Sequence, residues 1–295
     1  MDKVIDQLKK NKPSLSLSSL KTYNYILRRL MKKLEMKTED FQQLINKQDE
    51  ILEILADESV QVRKTILAVL VSLFGQEKTK KLRTKMLEDA NIYNEKLKTQ
   101  NKTEKQERNW MSWEEVMARH KTLSKELSPL LKKDNPSPKD LLRLVDLILL
   151  SVFVLIPPRR SQDYTEMKVR NFNMNEDNYF DPKRKAFVFN KYKTKKTYGQ
   201  QIVHLPTNLL KLINRWVKIN PHDHLLFDSK GGALSPSRLT IKLNNIFGKN
   251  LSSSLLRHIY ISEKVLADAP KIREREAVAK AMGHSTDQQE YYNVA

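Results

Sequence analysis

The stretch that most constrains this chain runs from Leu141 to Ile156, where charge intrudes only at Arg143 and Asp146. It is shorter than the roughly 20 residues that span a bilayer. It therefore reads as a helix buried in the core of a soluble domain, stable only where other elements cover it. After this helix the chain turns strand-like. Ala186-Phe187-Val188-Phe189-Asn190 and Gln201-Ile202-Val203-His204-Leu205 are two candidate strands, with Lys191 to Gly199 between them as a long basic hairpin. Helical patterns resume at 207–219, 235–247, 252–267 and 271–282.

The first third reads as helix throughout. Leu20, Tyr23, Ile26, Leu27, Leu30, Met31 and Leu34 recur at helical spacing, with Ser18 or Ser19 as the cap. Val62, Ile66, Val69, Leu70 and Leu73 form a second stripe between the cap Ser59 and Gly75. A long polar helix from Glu77 buries Leu82, Met86, Leu87 and Tyr93. Residues 98–108 are almost wholly polar and form the linker. Beyond it, Ser112-Trp113-Glu114-Glu115 has the capping-box pattern of a helix start. The expected fold class is mainly α: an all-helical domain over 1–105, then an α+β domain with a small antiparallel sheet over 106–295.

Charge narrows the partner. Lys and Arg number 54 against 35 Asp and Glu, a net +19. So large an excess repels itself unless it meets a polyanion, and nucleic acid is the first expectation. The chain has no cysteine, which excludes disulfides and thiolate metal sites and fits an intracellular protein. The N-terminus is charged and amphipathic, with no apolar run of a signal peptide. His222-Asp223-His224 has a metal-like spacing, but Pro221 before it marks a turn, so no metal is expected. No Gly-rich phosphate loop is present, and Gly231-Gly232 reads as a loop tip.

Three short stretches carry the residue types that could grip and attack a phosphate. They are Pro157-Pro158-Arg159-Arg160-Ser161-Gln162-Asp163-Tyr164, Ser254-Leu255-Leu256-Arg257-His258, and Met282-Gly283-His284-Ser285 with Tyr291-Tyr292 behind it. A guanidinium fork matches two non-bridging phosphate oxygens. A fixed clamp also favours the pentacovalent transition state, where those oxygens carry more charge. Arg257, flanked by Leu255, Leu256 and Ile259, needs an anion or a carboxylate to offset its burial. A phenol titrating near about 10 becomes a nucleophile only beside a base or in a positive field.

In their order and spacing these boxes resemble the tyrosine recombinase (integrase) family over roughly residues 110–295. The double-proline Arg box looks most like that of integrases from virophages and large DNA viruses. The family carries an acidic residue three positions after its first catalytic arginine, and Asp163 stands three after Arg160, so Arg160 matches better than Arg159. The resemblance implies Arg160 and Arg257 as the phosphate clamp and His284 as a further hydrogen-bond donor. It implies Lys193, with Lys196 as alternative, as the acid for the leaving 5′-oxygen, and Asp163 behind the arginines. Tyr292 is the preferred nucleophile and Tyr291 the alternative. Lys191, Lys195, Lys196 and His258 are expected DNA contacts. The first third is similar in character to the family's core-binding domain.

Two departures stand out. Ser254 occupies the position where the family usually has His or Lys, and its hydroxyl cannot carry a proton near neutral pH. The interval from His284 to Tyr292 is one residue shorter than usual, and two shorter if Tyr291 attacks. The family's chemistry implies no metal and no nucleotide cofactor. It implies double-stranded DNA as partner, a homodimer on one site, a homotetramer in the synaptic complex, no membrane, and an intracellular location at DNA. Three other readings remain: a type IB topoisomerase-like enzyme, a DNA-binding protein without catalysis, and a basic helical scaffold.

Overall fold

The computed structural model describes residues 3–267 and 270–281. They fall into two compact units, one of residues 3–101 with 270–281, the other of residues 102–267. The chain is mainly helical with one small antiparallel sheet. The sequence-based boundary carries the second domain from 106 to 295; by contact, residues 270–281 group with the first unit.

The first unit holds helices Lys3–Asn11, Leu17–Lys33, Gln48–Ile54, Val60–Phe74 and Lys80–Lys98, a 3-10 segment over Thr38–Lys47, and helix Ile272–Ala281. Leu20, Leu27, Leu30, Met31, Leu67, Leu70 and Leu73 supply its core. Ser59 caps the fourth α-helix by accepting from the Val62 N–H at 3.4 Å, and Gly75 ends it at φ +86°. The helix expected to start at Ser18 or Ser19 is instead capped by Ser16, whose Oγ accepts from the Ser19 N–H at 3.1 Å. Ser18 and Ser19 lie inside the helix, whereas Ser16 is left in extended backbone with its Oγ beside the Ser19 N–H.

Along Lys80–Lys98 the expected buried face holds at Leu82 and at Met86, which packs on the core, but not throughout. Leu87 is exposed, and Asp89 is fully buried. Leu82 and Asp89 lie seven residues apart on one helical face, and Leu87 falls off it. The buried carboxylate is matched by Arg63, whose Nε and Nη2 each donate to it at 2.7 Å. Arg63 Nη1 also donates to the Ala56 carbonyl at 2.9 Å. The last described helix lies against this one through Lys98 Nζ and Glu276 Oε1, 3.0 Å apart.

In the second unit the apolar stretch forms helix Pro138–Val154, with Ser137 and Asp140 as a capping box and Pro138 at its first turn. From Leu147 to Val154 every residue is buried. Burial of each large apolar side chain there contributes about 1.5–3 kcal/mol. Helices Trp113–Lys132, Thr207–Ile219 and Pro236–Phe247 cover it. Its polar interruptions are satisfied: Asp146 pairs with Lys242 at 2.6 Å, and Ser151 Oγ meets His120 Nε2 at 2.9 Å. Among the described residues no helix is long and apolar enough to cross a membrane.

The sheet has order β1-β2-β3, with β1 Tyr179–Asp181, β2 Ala186–Phe189 and β3 Gln201–His204. The register sets Phe189 against Gln201 and Ala186 against His204. β2 and β3 fall where the sequence pattern places them; β1 carries no such pattern, since all three of its residues are buried. The polar linker is partly ordered as helix Glu104–Asn109, through a capping box of Thr103 and Gln106. The helix expected over 252–267 is α-helical only for Ser253–Tyr260 and continues as a π-turn over Ile261–Val265. His222 to His224 lies outside helix and strand, and no three potential metal-ligating side chains cluster among the described residues.

Candidate active site

The buried helix stops where the chain meets two prolines. The Leu155 N–H still bonds back to the Ser151 carbonyl at 2.9 Å, but Pro157 and Pro158 have no N–H to continue the ladder. Arg160 comes next as the N-cap of the short helix Ser161–Thr165, in extended backbone at φ −72° and ψ 150°. Its side chain and that of Arg159 therefore leave the core from a stiff turn. Below them Tyr164 is fully buried, its hydroxyl donating to the Val152 carbonyl at 3.2 Å. Burial drives that phenol far above its ordinary value, so it anchors the core and is no nucleophile.

Arg159 is fastened in place. Its Nε donates to Asp163 Oδ2 at 2.8 Å and its Nη1 to Gln201 Oε1 at 2.9 Å. The guanidinium lies 4.0 Å from the centre of the Phe189 ring. One residue thus ties the short helix to β2 and β3. Tyr192 closes the loop between those strands by donating to the Gly199 carbonyl at 2.7 Å.

The second box reaches the same place. Ser252 caps helix Ser253–Tyr260 by accepting from the Leu255 N–H at 3.2 Å. Leu255, Leu256 and Ile259 are buried and fix the helix, while Arg257 is only half-buried. Ser253 Oγ lies 2.6 Å from Ser161 Oγ, which links the second box to the residue after Arg160. Arg159, Arg160, Asp163 and Arg257 line one cavity of 540 Å³, together with Pro157, Pro158, Tyr192, Thr194, Tyr198, Gln201, Ile202 and Val203.

Electrostatics gives this cavity a sign. Asp163 is 2% exposed, and burial raises its pKa against the opposing pull of Arg159, Arg160 and Arg257. Burial, then the charge of Arg160, lowers the pKa of Arg257, with Asp163 acting against them. Three guanidinium groups face one carboxylate, leaving two positive charges uncompensated. Arg159 directs its Nε at Asp163 and its Nη1 at Gln201. Arg160 and Arg257 make no hydrogen bond or ion pair with a described residue, so their donors are available to an anion in the cavity. A phosphodiester, with two acceptor oxygens and one charge, suits that pair.

The other expected residues are placed less centrally. Lys193, Lys195 and Lys196 are exposed on the loop, and Thr194 rather than Lys193 lines the cavity. Lys191 is ion-paired with Glu166. Ser254 and His258 are exposed on the second-box helix and do not line the cavity. His284, Tyr291 and Tyr292 lie outside the described residues. Sequence reasoning missed Gln201, Tyr192 and Tyr198, and gave Arg159 no role of its own. The signal for the last was Asp163 one helical turn after Arg159. Comparison with protein-family models, with curated proteins and with solved structures gives no match.

Proposed function

We propose that this chain breaks and rejoins DNA strands through its own tyrosine, as a site-specific recombinase or integrase with the catalytic fold of the tyrosine recombinases. The observation that carries the reading is the pair Arg160 and Arg257, far apart in sequence, on one cavity and without hydrogen-bond partners among the described residues. In this reading both guanidiniums hold the non-bridging oxygens of the scissile phosphate and gain strength as charge builds there. The phenolic oxygen of Tyr292 forms a bond to phosphorus while the bond to the 5′-oxygen breaks. The phenol passes its proton to His284, and Lys193 on the basic loop protonates the leaving 5′-oxygen. His284 adds a hydrogen bond to the phosphate. The 3′-phosphotyrosine retains the energy of the broken diester, so a 5′-hydroxyl from a partner duplex reseals the strand without metal or nucleotide. Duplex DNA, a dimer on one site and a tetramer at synapsis belong to the same proposal, as does an intracellular location at DNA.

A second reading rests on its own observations. Ser254 stands where a proton carrier is usual, and Lys193 is not on the cavity wall. Both favour a protein that binds DNA at this cavity without cutting it. A pool of nicked duplexes of random sequence separates the two. Covalent protein–DNA adduct on a denaturing gel, lost in Tyr292→Phe and kept in Tyr291→Phe, supports cleavage by Tyr292. Loss only in Tyr291→Phe moves the nucleophile by one residue. Binding with no adduct in any variant leaves the non-catalytic reading.

A further inference from the structure

The cavity has a second wall that a phosphate does not use. Besides the guanidinium groups it is lined by Pro157, Tyr198, Ile202 and Val203. Tyr198 is 65% exposed and Ile202 41% exposed, although both border a cavity. Tyr198 makes no ring contact and no side-chain hydrogen bond with a described residue, unlike Tyr192 on the same loop. Its position is nonetheless defined. It ends the single helical turn Lys195–Tyr198, and Gly199 comes after it at φ +67°, in backbone that favours glycine. The Tyr192 hydroxyl holds the Gly199 carbonyl and so clamps the loop at the residue next to Tyr198. Exposed Lys195 and Lys196 share its helical turn.

An aromatic ring held open to solvent near lysines, on a cavity that also holds an apolar wall and two donor-rich arginines, matches more than a phosphate. It matches a nucleotide: phosphate on the arginines, base on the ring. A volume of 540 Å³ exceeds what a phosphate group fills and lies in the range of pockets that take a whole small ligand. A base inside a duplex is stacked on its neighbours and cannot offer its face to a protein ring.

Resting on the proposed DNA reading, we infer that Tyr198 is a stacking platform for one unpaired base beside the phosphate held by Arg160 and Arg257. The chain then binds DNA better where a base pair at that step is already open. The stacking face is sequence-tolerant, because every base presents one, and the contribution belongs to the unpaired base alone.

The test measures affinity by fluorescence anisotropy, at one fixed salt concentration, for two labelled duplexes of identical length and charge. One is fully paired, the other has a single central mismatch. The expected result is tighter binding of the mismatched duplex by about tenfold in the wild type. Tyr198→Ala should erase that preference, so that the two duplexes bind alike, and Tyr198→Phe should keep it. Equal binding of the two duplexes by the wild type, or a preference that survives Tyr198→Ala, would overturn the inference while leaving DNA binding intact. Failure to bind either duplex would instead remove the DNA reading on which it rests, and the inference with it. Circular dichroism of Tyr198→Ala checks that the loop change has not unfolded the chain.

Discussion

Ser161 Oγ and Ser253 Oγ lie 2.6 Å apart, one directly after Arg160 and the other one turn before Arg257. This contact joins the two boxes by side chains that themselves carry no charge. It ties the residue after Arg160 to the helix that carries Arg257 without occupying a guanidinium donor. Ser253→Ala should therefore weaken phosphate binding by loosening Arg257, with a smaller loss than Arg257→Ala itself. A double-mutant cycle of Ser161→Ala and Ser253→Ala on DNA affinity should be non-additive, the second change costing little once the first is made. Full additivity would mean that the two hydroxyls act separately.

The Arg63–Asp89 pair predicts a large stability effect in the first unit. Asp89 is fully buried and both its oxygens accept from Arg63. Asp89→Ala leaves a guanidinium in a site with no matching charge, and breaking such a pair destabilises by about 3–5 kcal/mol. Urea denaturation followed by circular dichroism reads the change as a lower midpoint. Arg63→Met with Asp89→Leu, which removes both charges, should recover much of the loss.

Gly231 predicts a steric effect. Its φ is +81°, and a Cβ built there would stand 2.5 Å from His222 Cε1. Gly231→Ala must strain the backbone and displace the imidazole that packs on Phe227. The expected cost is about 1–3 kcal/mol. Gly232→Ala meets nothing closer than 3.8 Å and should be nearly neutral, so thermal melting of the two variants provides the check.

Burial of His120 predicts a pH dependence. Its ring sits against Ser151, and burial lowers its pKa from the ordinary 6.5. Below 6.5 the unfolded chain takes up a proton that the folded chain refuses, so stability rises with pH across this window. The contribution is fully present above 6.5 and is lost as pH falls from 6.5 towards the folded value. His120→Gln should flatten the dependence of the urea midpoint between about pH 7.5 and 5.5. An unchanged slope would assign that dependence to other groups, His224 first among them, since burial lowers its pKa as well.

Much of the architecture was legible because it rests on local rules. The apolar run 141–156 could only be a buried helix, and strands 186–189 and 201–204 announce themselves by composition on either side of a polar loop. Ser112 with Glu115 specifies a helix start by side-chain reach alone. The site was legible only in part. Arg159 and Arg160 are identical in type and adjacent, and their roles separate only when Phe189 and Gln201 arrive from the sheet. Likewise the open setting of Tyr198 depends on where the loop is clamped, which Tyr192 and Gly199 decide. β1 escaped detection because a three-residue buried strand has neither alternation nor length.

The central claim is that Arg160 and Arg257 act together on one phosphate under attack. The most direct test is the initial rate of covalent adduct formation with nicked duplex DNA for the wild type, Arg160→Ala, Arg257→Ala and the double variant. The account predicts that each single change lowers the rate by at least about 100-fold, as loss of an oxyanion-stabilising donor does, and that the double change is less than additive. Adduct formed at the wild-type rate by Arg257→Ala would contradict it.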